Sequence, residues 1–382
     1  QKAERVFRND QKLGGGRTVF CAANRDAVQR EQALTGSLGV INGRQGRFGG
    51  WRSAGRSSFA GRAVVACLAA AGAAFGLCAC DGPPPPGEPV PVSDVFGGLG
   101  DMPGRFGYPR ALDVSPRGIG VAPATGLLWI VDKTGRVQGL DPTTGICQVL
   151  WRMPDRELGK PVGLTVAPGR DEKGQWCEEL LYIADTHYNR VMVYRPPAAD
   201  RQSPAHEPTL VMSFGKYGTG PGEFRYPTDV AVLLAPGGKA VERIYVSEYG
   251  GNDRISIFDG EGSFLSSFGT FGAGRAGEAV ADAVQFDRPQ SLSIETVAGK
   301  PELIVVDAHN HRVGRFTLEG ELIRWFGSRD HPGDEPGAFR YPYGLASLGD
   351  GTVLVCEFGN NRVQRIDPVS YTHLTLPTNR EV

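Results

Sequence analysis

Ile304-Val305-Val306-Asp307-Ala308-His309-Asn310-His311-Arg312-Val313 decides how the rest of the chain is read. A β-branched run ends in an acid, a short polar segment follows, and an arginine opens a second β-branched run. Such residues favour two short strands joined by a tight loop. The first half recurs as Trp129-Ile130-Val131-Asp132, Leu181-Tyr182-Ile183-Ala184-Asp185, Ile244-Tyr245-Val246-Ser247-Glu248 and Leu354-Val355-Cys356-Glu357. The second half recurs as Arg136-Val137, Arg190-Val191, Arg254-Ile255 and Arg362-Val363. Asn189, Asn252, Asn310 and Asn361 stand one or two places before the arginine in four of the copies.

Reading outward, a turn such as Asp259-Gly260-Glu261-Gly262 leads to a further strand-like run, Phe264 to Gly269 or Leu322 to Gly327. A glycine-rich linker closes the unit in Phe-x-Tyr-Pro or a near match, at Phe224–Pro227, Phe286–Pro289 and Phe339–Pro342. Each copy therefore reads as four short antiparallel strands. One such sheet cannot bury both of its faces, so copies must stack around an axis. The arginines from Arg190 to Arg362 lie 64, 58 and 50 residues apart. That exceeds the WD40 period of about 40–45 residues, and places the excess in loops at Ala167–Glu179, Arg195–Pro208 and Gly269–Gln285.

Asp307 to Val313 and Asp185 to Val191 resemble the centre of NHL repeats, and the resemblance extends through most of residues 94–368. It implies an all-β fold, a β-propeller of four-stranded NHL-like blades. Blade one departs from the pattern: Lys133-Thr134-Gly135-Arg136 has no Asn, and its inner strand begins at Pro109 or at Pro116. Val95 to Pro109 repeats the outer-strand-plus-linker pattern of Phe214 to Pro227. It is expected to complete the last blade and latch the ring, hiding a sheet edge. Five inner triplets are visible and the fifth has no fourth strand, so six blades are expected in the full protein.

Composition agrees with many short strands: 54 Gly and 28 Pro punctuate apolar runs in a 382-residue chain that is 40% hydrophobic. The charge is divided. Residues 1–79 hold 12 Lys+Arg against 4 Asp+Glu, and residues 80–368 hold 28 against 37, a net of −9. An acidic globular part is the wrong field for phosphate backbones, so no nucleic-acid partner is expected.

The amino-terminal region divides into residues 1–51, upstream sequence or an n-region outside the fold, and residues 52–79, a signal peptide. Arg52, Arg56 and Arg62 precede the apolar run Ala63–Leu77, which is short for a membrane span. Leu77-Cys78-Ala79-Cys80 resembles a bacterial lipoprotein box, which implies lipidation at Cys80; cleavage by an ordinary signal peptidase near Ala79 is the alternative. Residues 80–93 form a Pro-rich tether. Either processing puts the propeller outside the cytoplasm, at the cell envelope, with membrane contact only through a lipid anchor. Residues 369–382 follow an unfinished repeat and resemble a translated adapter sequence, so the natural chain is expected to continue past Pro368.

Chemistry is less legible. Asp132, Asp185, Glu248, Asp307 and Glu357 share one position per copy, either as a ring of carboxylates that takes calcium or as structural acids that pair with each copy's own arginine or accept turn N–H groups. His187 and His309 follow the acid by two residues in blades two and four, while Thr134, Gly250 and Gly359 hold that place elsewhere. Propeller lyases acting on peptidyl-hydroxyglycine, which NHL repeats resemble in fold, hold zinc with histidines. Zinc needs three or four converging ligands, and only His311 is near as another candidate. Cys147 and Cys177 are the pair that could form a disulfide outside the cytoplasm. No catalytic triad order, HExxH, phosphate loop or dinucleotide fingerprint appears. The expected function is a binding or scaffold propeller without a cofactor, presenting loops to a protein, peptide or glycan. The alternative is a metal-dependent propeller enzyme, amidating-lyase-like or lactonase-like.

Overall fold

The computed structural model describes residues 95–115, 126–159, 161–170, 173–200, 202–238, 240–273, 284–348 and 351–367. The expected signal peptide, Cys80, the tether and residues 369–382 lie outside them. The described chain is all-β, and its strands fall into five consecutive antiparallel sheets, the blades of a propeller.

Blade one is β1 (Pro109–Val114), β2 (Leu128–Asp132), β3 (Arg136–Leu140) and β4 (Cys147–Arg152). Blade two is β5 (Gly163–Arg170), β6 (Trp176–Asp185), β7 (Arg190–Arg195) and β8 (Thr209–Phe214). Blade three is β9 (Pro227–Leu234), β10 (Val241–Glu248), β11 (Arg254–Phe258) and β12 (Phe264–Phe268). A two-strand parallel clip, β13 (Thr270–Phe271) with β14 (Gln285–Phe286), leads to blade four: β15 (Pro289–Val297), β16 (Lys300–Asp307), β17 (Arg312–Phe316) and β18 (Leu322–Gly327). Blade five has three strands, β19 (Pro342–Ser347), β20 (Val353–Glu357) and β21 (Arg362–Ile366). In every blade sequential strands pair in order, innermost first.

Alternation explains the core. In β2, Trp129 and Val131 pack against Leu164, Leu181, Ile183 and Met192 of blade two, while Ile130 turns to the other face with Phe106, Leu140 and Cys147. Blades two and three share Tyr182, Ala184, Phe224, Val246 and Phe258, blades three and four share Tyr245, Phe286, Val305 and Phe316, and blades four and five share Ile304, Val306, Phe339 and Val355. Each blade buries one face against each neighbour, the solution that an isolated four-stranded sheet lacks.

One expectation changes and one alternative is settled. Blade one opens at Pro109 and not at Pro116. The excess at Ala167–Glu179 is for the most part not loop: β5 and β6 run on as a longer hairpin, with Gly169 paired to Cys177 and Arg170 to Trp176. The amino-terminal segment from Val95 does not join the sheet of blade five; Leu99 makes a parallel bridge to Phe106 beside blade one.

Candidate functional site

The linkers entering each inner strand and the loops between second and third strands share one face of the propeller, and the repeated acids tie them together. Asp132 bonds the Nε and Nη2 of Arg136 at 3.0 and 2.7 Å. Asp185 bonds Arg190 at 2.9 Å, Glu248 bonds Arg254 at 2.6 Å, Asp307 bonds Arg312 at 2.8 Å and Glu357 bonds Arg362 at 2.6 Å. Four of these acids also accept a linker N–H, from Gly107, Arg225, Asp287 and Arg340 at 2.7–2.9 Å. Several of the arginines in turn donate to linker carbonyls: Arg136 to Gly100, Arg254 to Gly220 and Glu223, Arg312 to Gln285, and Arg362 to Ala338. All five acids are buried. Each carboxylate is thus committed within its own blade, and the five do not come together as a ring of ligands. Among the described residues no three His, Cys, Asp or Glu side chains are placed to hold a metal ion.

The histidines sit at blade joints. His187 lies in a single 3-10 turn, its Nδ1 2.7 Å from the Leu158 carbonyl and its ring edge-on to Tyr226. His309 contacts Asp287 at 3.1 Å and meets Tyr341 edge-on, as does His311. Burial works against an ionised Asp287, but His309 and Arg329 outweigh it and hold that carboxyl below its usual range. His187 and His309 belong to alternate blades and keep separate partners.

The Cys147–Cys177 disulfide that the sequence allows is not formed. Cys147 packs with Phe106, Ile130 and Leu140 on the side of blade one away from blade two. Cys177, in β6, packs on the cluster between blades two and three. Two blade faces separate them.

A different set of residues converges. The residue after the proline at the start of each inner segment is Arg110, Val162, Thr228, Gln290 or Tyr343, a different chemistry in every blade. Tyr249, just after the acid of blade three, stacks on Tyr226 with ring centroids 5.3 Å apart and an interplanar angle of 27°. The Arg288 guanidinium lies over its ring at 4.8 Å, and its Nε donates to the Gln290 side-chain Oε1 at 3.1 Å. Burial raises the Tyr249 hydroxyl above its usual range; Arg288 and Arg110 draw it down, while Tyr343 and Tyr226 push it up. Tyr226, Tyr249 and Arg288 thus form one stack, and Arg110 of blade one and Tyr343 of blade five act on Tyr249 through charge. This is an aromatic mouth with two guanidinium groups. A cation beside an aromatic face is worth about 0.5–2 kcal/mol, and the same groups offer a ligand both stacking and anion recognition.

Three solved structures similar to this chain are propeller comparisons of low identity. The virginiamycin B lyase of Staphylococcus aureus is 15% identical with a TM-score of 0.38, covering 67% of this chain and 68% of that one. A streptogramin B lyase is 15% identical with a TM-score of 0.41, covering 68% and 65%. BBS1N, in its complex with ARL6DN, is 14% identical with a TM-score of 0.39, covering 69% and 62%. This chain thus spans about two-thirds of each. No family model matches the chain, and no curated protein sequence matches it.

Beneath the mouth, inner strands of successive blades are clasped by side chains. Asp113 accepts from Val166 N–H at 2.8 Å, Thr165 donates to the Val230 carbonyl, Asp229 accepts from Leu292 N–H at 3.0 Å, and Ser291 accepts from Leu345 N–H at 3.3 Å. Desolvation pushes Asp229 up to about 6, against the hydrogen bonds from Leu292, Ser291 and Val230, and with a further push from Asp113. A folded value above the unfolded one means that Asp229 stabilises the fold fully below the ordinary carboxyl range and loses that contribution as pH rises through about 6. Asp229 is half-buried, so the expected difference is on the order of 1–2 kcal/mol. Urea unfolding of wild type and Asp229→Asn at several pH values checks it: the gap between the two should move in favour of the variant as pH rises.

The mouth was not visible in sequence, because the positions of Arg110, Tyr343 and Tyr249 hold a different residue in every copy, while Tyr226 repeats as Tyr108 and Tyr341 and so reads as part of the motif. The usable signal was that variation itself: one place per blade, fixed by the preceding proline, where the repeat is broken.

Proposed function

We propose that this chain is an NHL-type binding propeller of the cell envelope, anchored through Cys80, and that it takes a protein, peptide or glycan partner at the mouth around Tyr249. The observation that carries the reading is the stacked set of Tyr226, Tyr249 and Arg288, with Arg110 and Tyr343 acting on Tyr249 through charge. Arg110 and Tyr343 stand on inner strands, and Tyr226, Tyr249 and Arg288 stand on linker and loop residues directly beside strand ends, so the rigid blades position a surface made largely of connecting segments. Among the partners named, the chemistry fits best a peptide or acidic sugar that offers a carboxylate to the two guanidinium groups and a flat apolar face to the tyrosines.

A glycan array and a random-peptide display library, both probed with the full chain, would test this. Specific binders should weaken at least tenfold against Arg288→Gln and against Tyr249→Ala, with unfolding midpoints close to wild type for Arg288→Gln. Binders indifferent to both variants would place recognition elsewhere.

Anchoring has its own test, independent of the mouth. In a bacterial host the wild-type chain should incorporate labelled fatty acid and partition into detergent, and Cys80→Ser should do neither. Equal labelling of both proteins would remove Cys80 from the proposal.

A further inference from the structure

We infer that the β-bulge opening the inner strands sets what the mouth recognises, and that in blade four the bulged residue, Gln290, joins Arg288 as a pair of hydrogen-bond donors that selects a planar carboxylate over the neutral amide of the same shape. The inference rests on the mouth proposed above and adds to it the residue that reads the charge of the ligand.

The bulge is a repeated feature. In blades one, three, four and five the inner-strand proline lies opposite the repeated acid: Pro109 opposite Asp132, Pro227 opposite Glu248, Pro289 opposite Asp307 and Pro342 opposite Glu357. The next pair on each ladder skips one residue of the inner strand, leaving Arg110, Thr228, Gln290 and Tyr343 unpaired across it. A bulged residue stands outside the strict alternation of its strand, so its side chain is re-aimed. Its identity can change without turning the apolar set of the strand to the wrong face. The residue before the proline holds the bulge from the other side. Tyr226, Arg288 and Tyr341 have φ of 49°, 62° and 47°, and their N–H groups are accepted in the preceding blade by Asn189 at 3.1 Å, Asp253 at 2.6 Å and His311 at 3.0 Å. The position is thus fixed in space and open in chemistry.

The bulged side chains are put to different uses. Thr228 is committed to the joint between blades: its hydroxyl lies 2.8 Å from the Pro289 carbonyl and 2.7 Å from Ser247 Oγ. Gln290 is committed on one side only. It is 4% exposed, and its Oε1 accepts from Arg288 Nε at 3.1 Å. Arginine can only donate, so the amide oxygen must face it, and the amide nitrogen is the free end. Among the described residues the N–H groups of that nitrogen have no acceptor, and neither have the η nitrogens of Arg288. The amide nitrogen shares Cδ with Oε1 and the η nitrogens share Cζ with Nε, so these donors flank the hydrogen bond that joins the two side chains. Beside them the guanidinium covers Tyr249, which stacks on Tyr226. A flat ligand laid along the tyrosines therefore meets donors alone at this edge. A carboxylate answers them with both oxygens, whereas a carboxamide of the same outline must set its own N–H groups against one of them.

The test uses the full chain with labelled tyrosine rings, titrated in NMR with sodium benzoate, benzamide and benzamidine while the Tyr249 signal is followed. Wild type should bind benzoate about tenfold more tightly than benzamide. Gln290→Met should lose about tenfold in benzoate affinity and narrow that ratio. Gln290→Glu keeps an oxygen for Arg288 but turns an anion toward the ligand, so it should reject benzoate and bind the benzamidine cation more tightly than wild type does. A Gln290 that served only the fold would not reverse a preference, and the wild-type ratio needs no variant to fold. Benzoate binding that weakens in Arg288→Gln yet is unmoved in both Gln290 variants would overturn the inference and leave the mouth standing. Equal affinity of wild type for benzoate and benzamide would do the same. No movement of Tyr249 with any of the probes would sink the mouth and the inference together.

Discussion

Asp307→Ala is expected to lower the unfolding free energy by about 3–5 kcal/mol at neutral pH. Burial raises this carboxyl to about 6 against the pull of Arg312 and Asn310, so near pH 7.5 it is mostly ionised. Removing it strands the buried Arg312 guanidinium, the Asn310 amide and the Asp287 N–H, all of which it now accepts from. An uncompensated buried cation is the costly outcome; the ion pair itself need not be strongly stabilising. Two controls separate these. Asp307→Ala/Arg312→Met removes the stranded charge and should recover part of the loss. Asp155→Ala takes away the exposed partner of Arg190 and should cost less than about 1 kcal/mol. Equilibrium denaturation of the three variants decides it: equal losses for Asp307→Ala and Asp155→Ala would mean that the repeated acid is a surface ornament.

Gly269→Ala should cost about 3 kcal/mol, from two sources. Its φ of +95° is strained for any L side chain, and an added Cβ would come within 2.4 Å of the Phe286 ring. Phe286 cannot move aside cheaply, because it packs on Phe268, Phe316 and Trp325. Gly299 offers the comparison: its φ is +79°, but nothing lies within 4 Å of the added carbon. Gly299→Ala should therefore show the conformational cost alone, about 1 kcal/mol. If the two variants lose the same stability, the phenylalanine contact adds nothing.

Both residues belong to the part of the molecule that repetition made legible. The acid, the arginine, the Phe-Gly pair and the proline each recur at one place per blade, because every blade needs the same joint, and their recurrence exposed strand order before any coordinates. That the acids could accept turn N–H groups was legible, but not which of the two roles they take, since an acid that could line an axis and one that caps a linker look alike in sequence. Cys147 and Cys177 misled for a related reason: the hairpin of β5 and β6 was read as loop, which hid the alternation that sends Cys177 toward blade three. The mouth escaped because Arg110, Thr228, Gln290 and Tyr343 occupy a position that the repeat fixes in space while leaving its identity free.

The pairing of Asn189 with Tyr226, Asp253 with Arg288 and His311 with Tyr341 has a consequence at the level of the gene. Blades two, three and four carry the acceptor and blades three, four and five the donor, and the three acceptors differ in kind, so a junction does not require a matched pair. A duplication or deletion of one whole unit by unequal crossing-over would leave each surviving junction intact. Descent from such an ancestor is free to change the circumference of the ring in single steps, and with it the space enclosed at the centre, before any contact residue is altered.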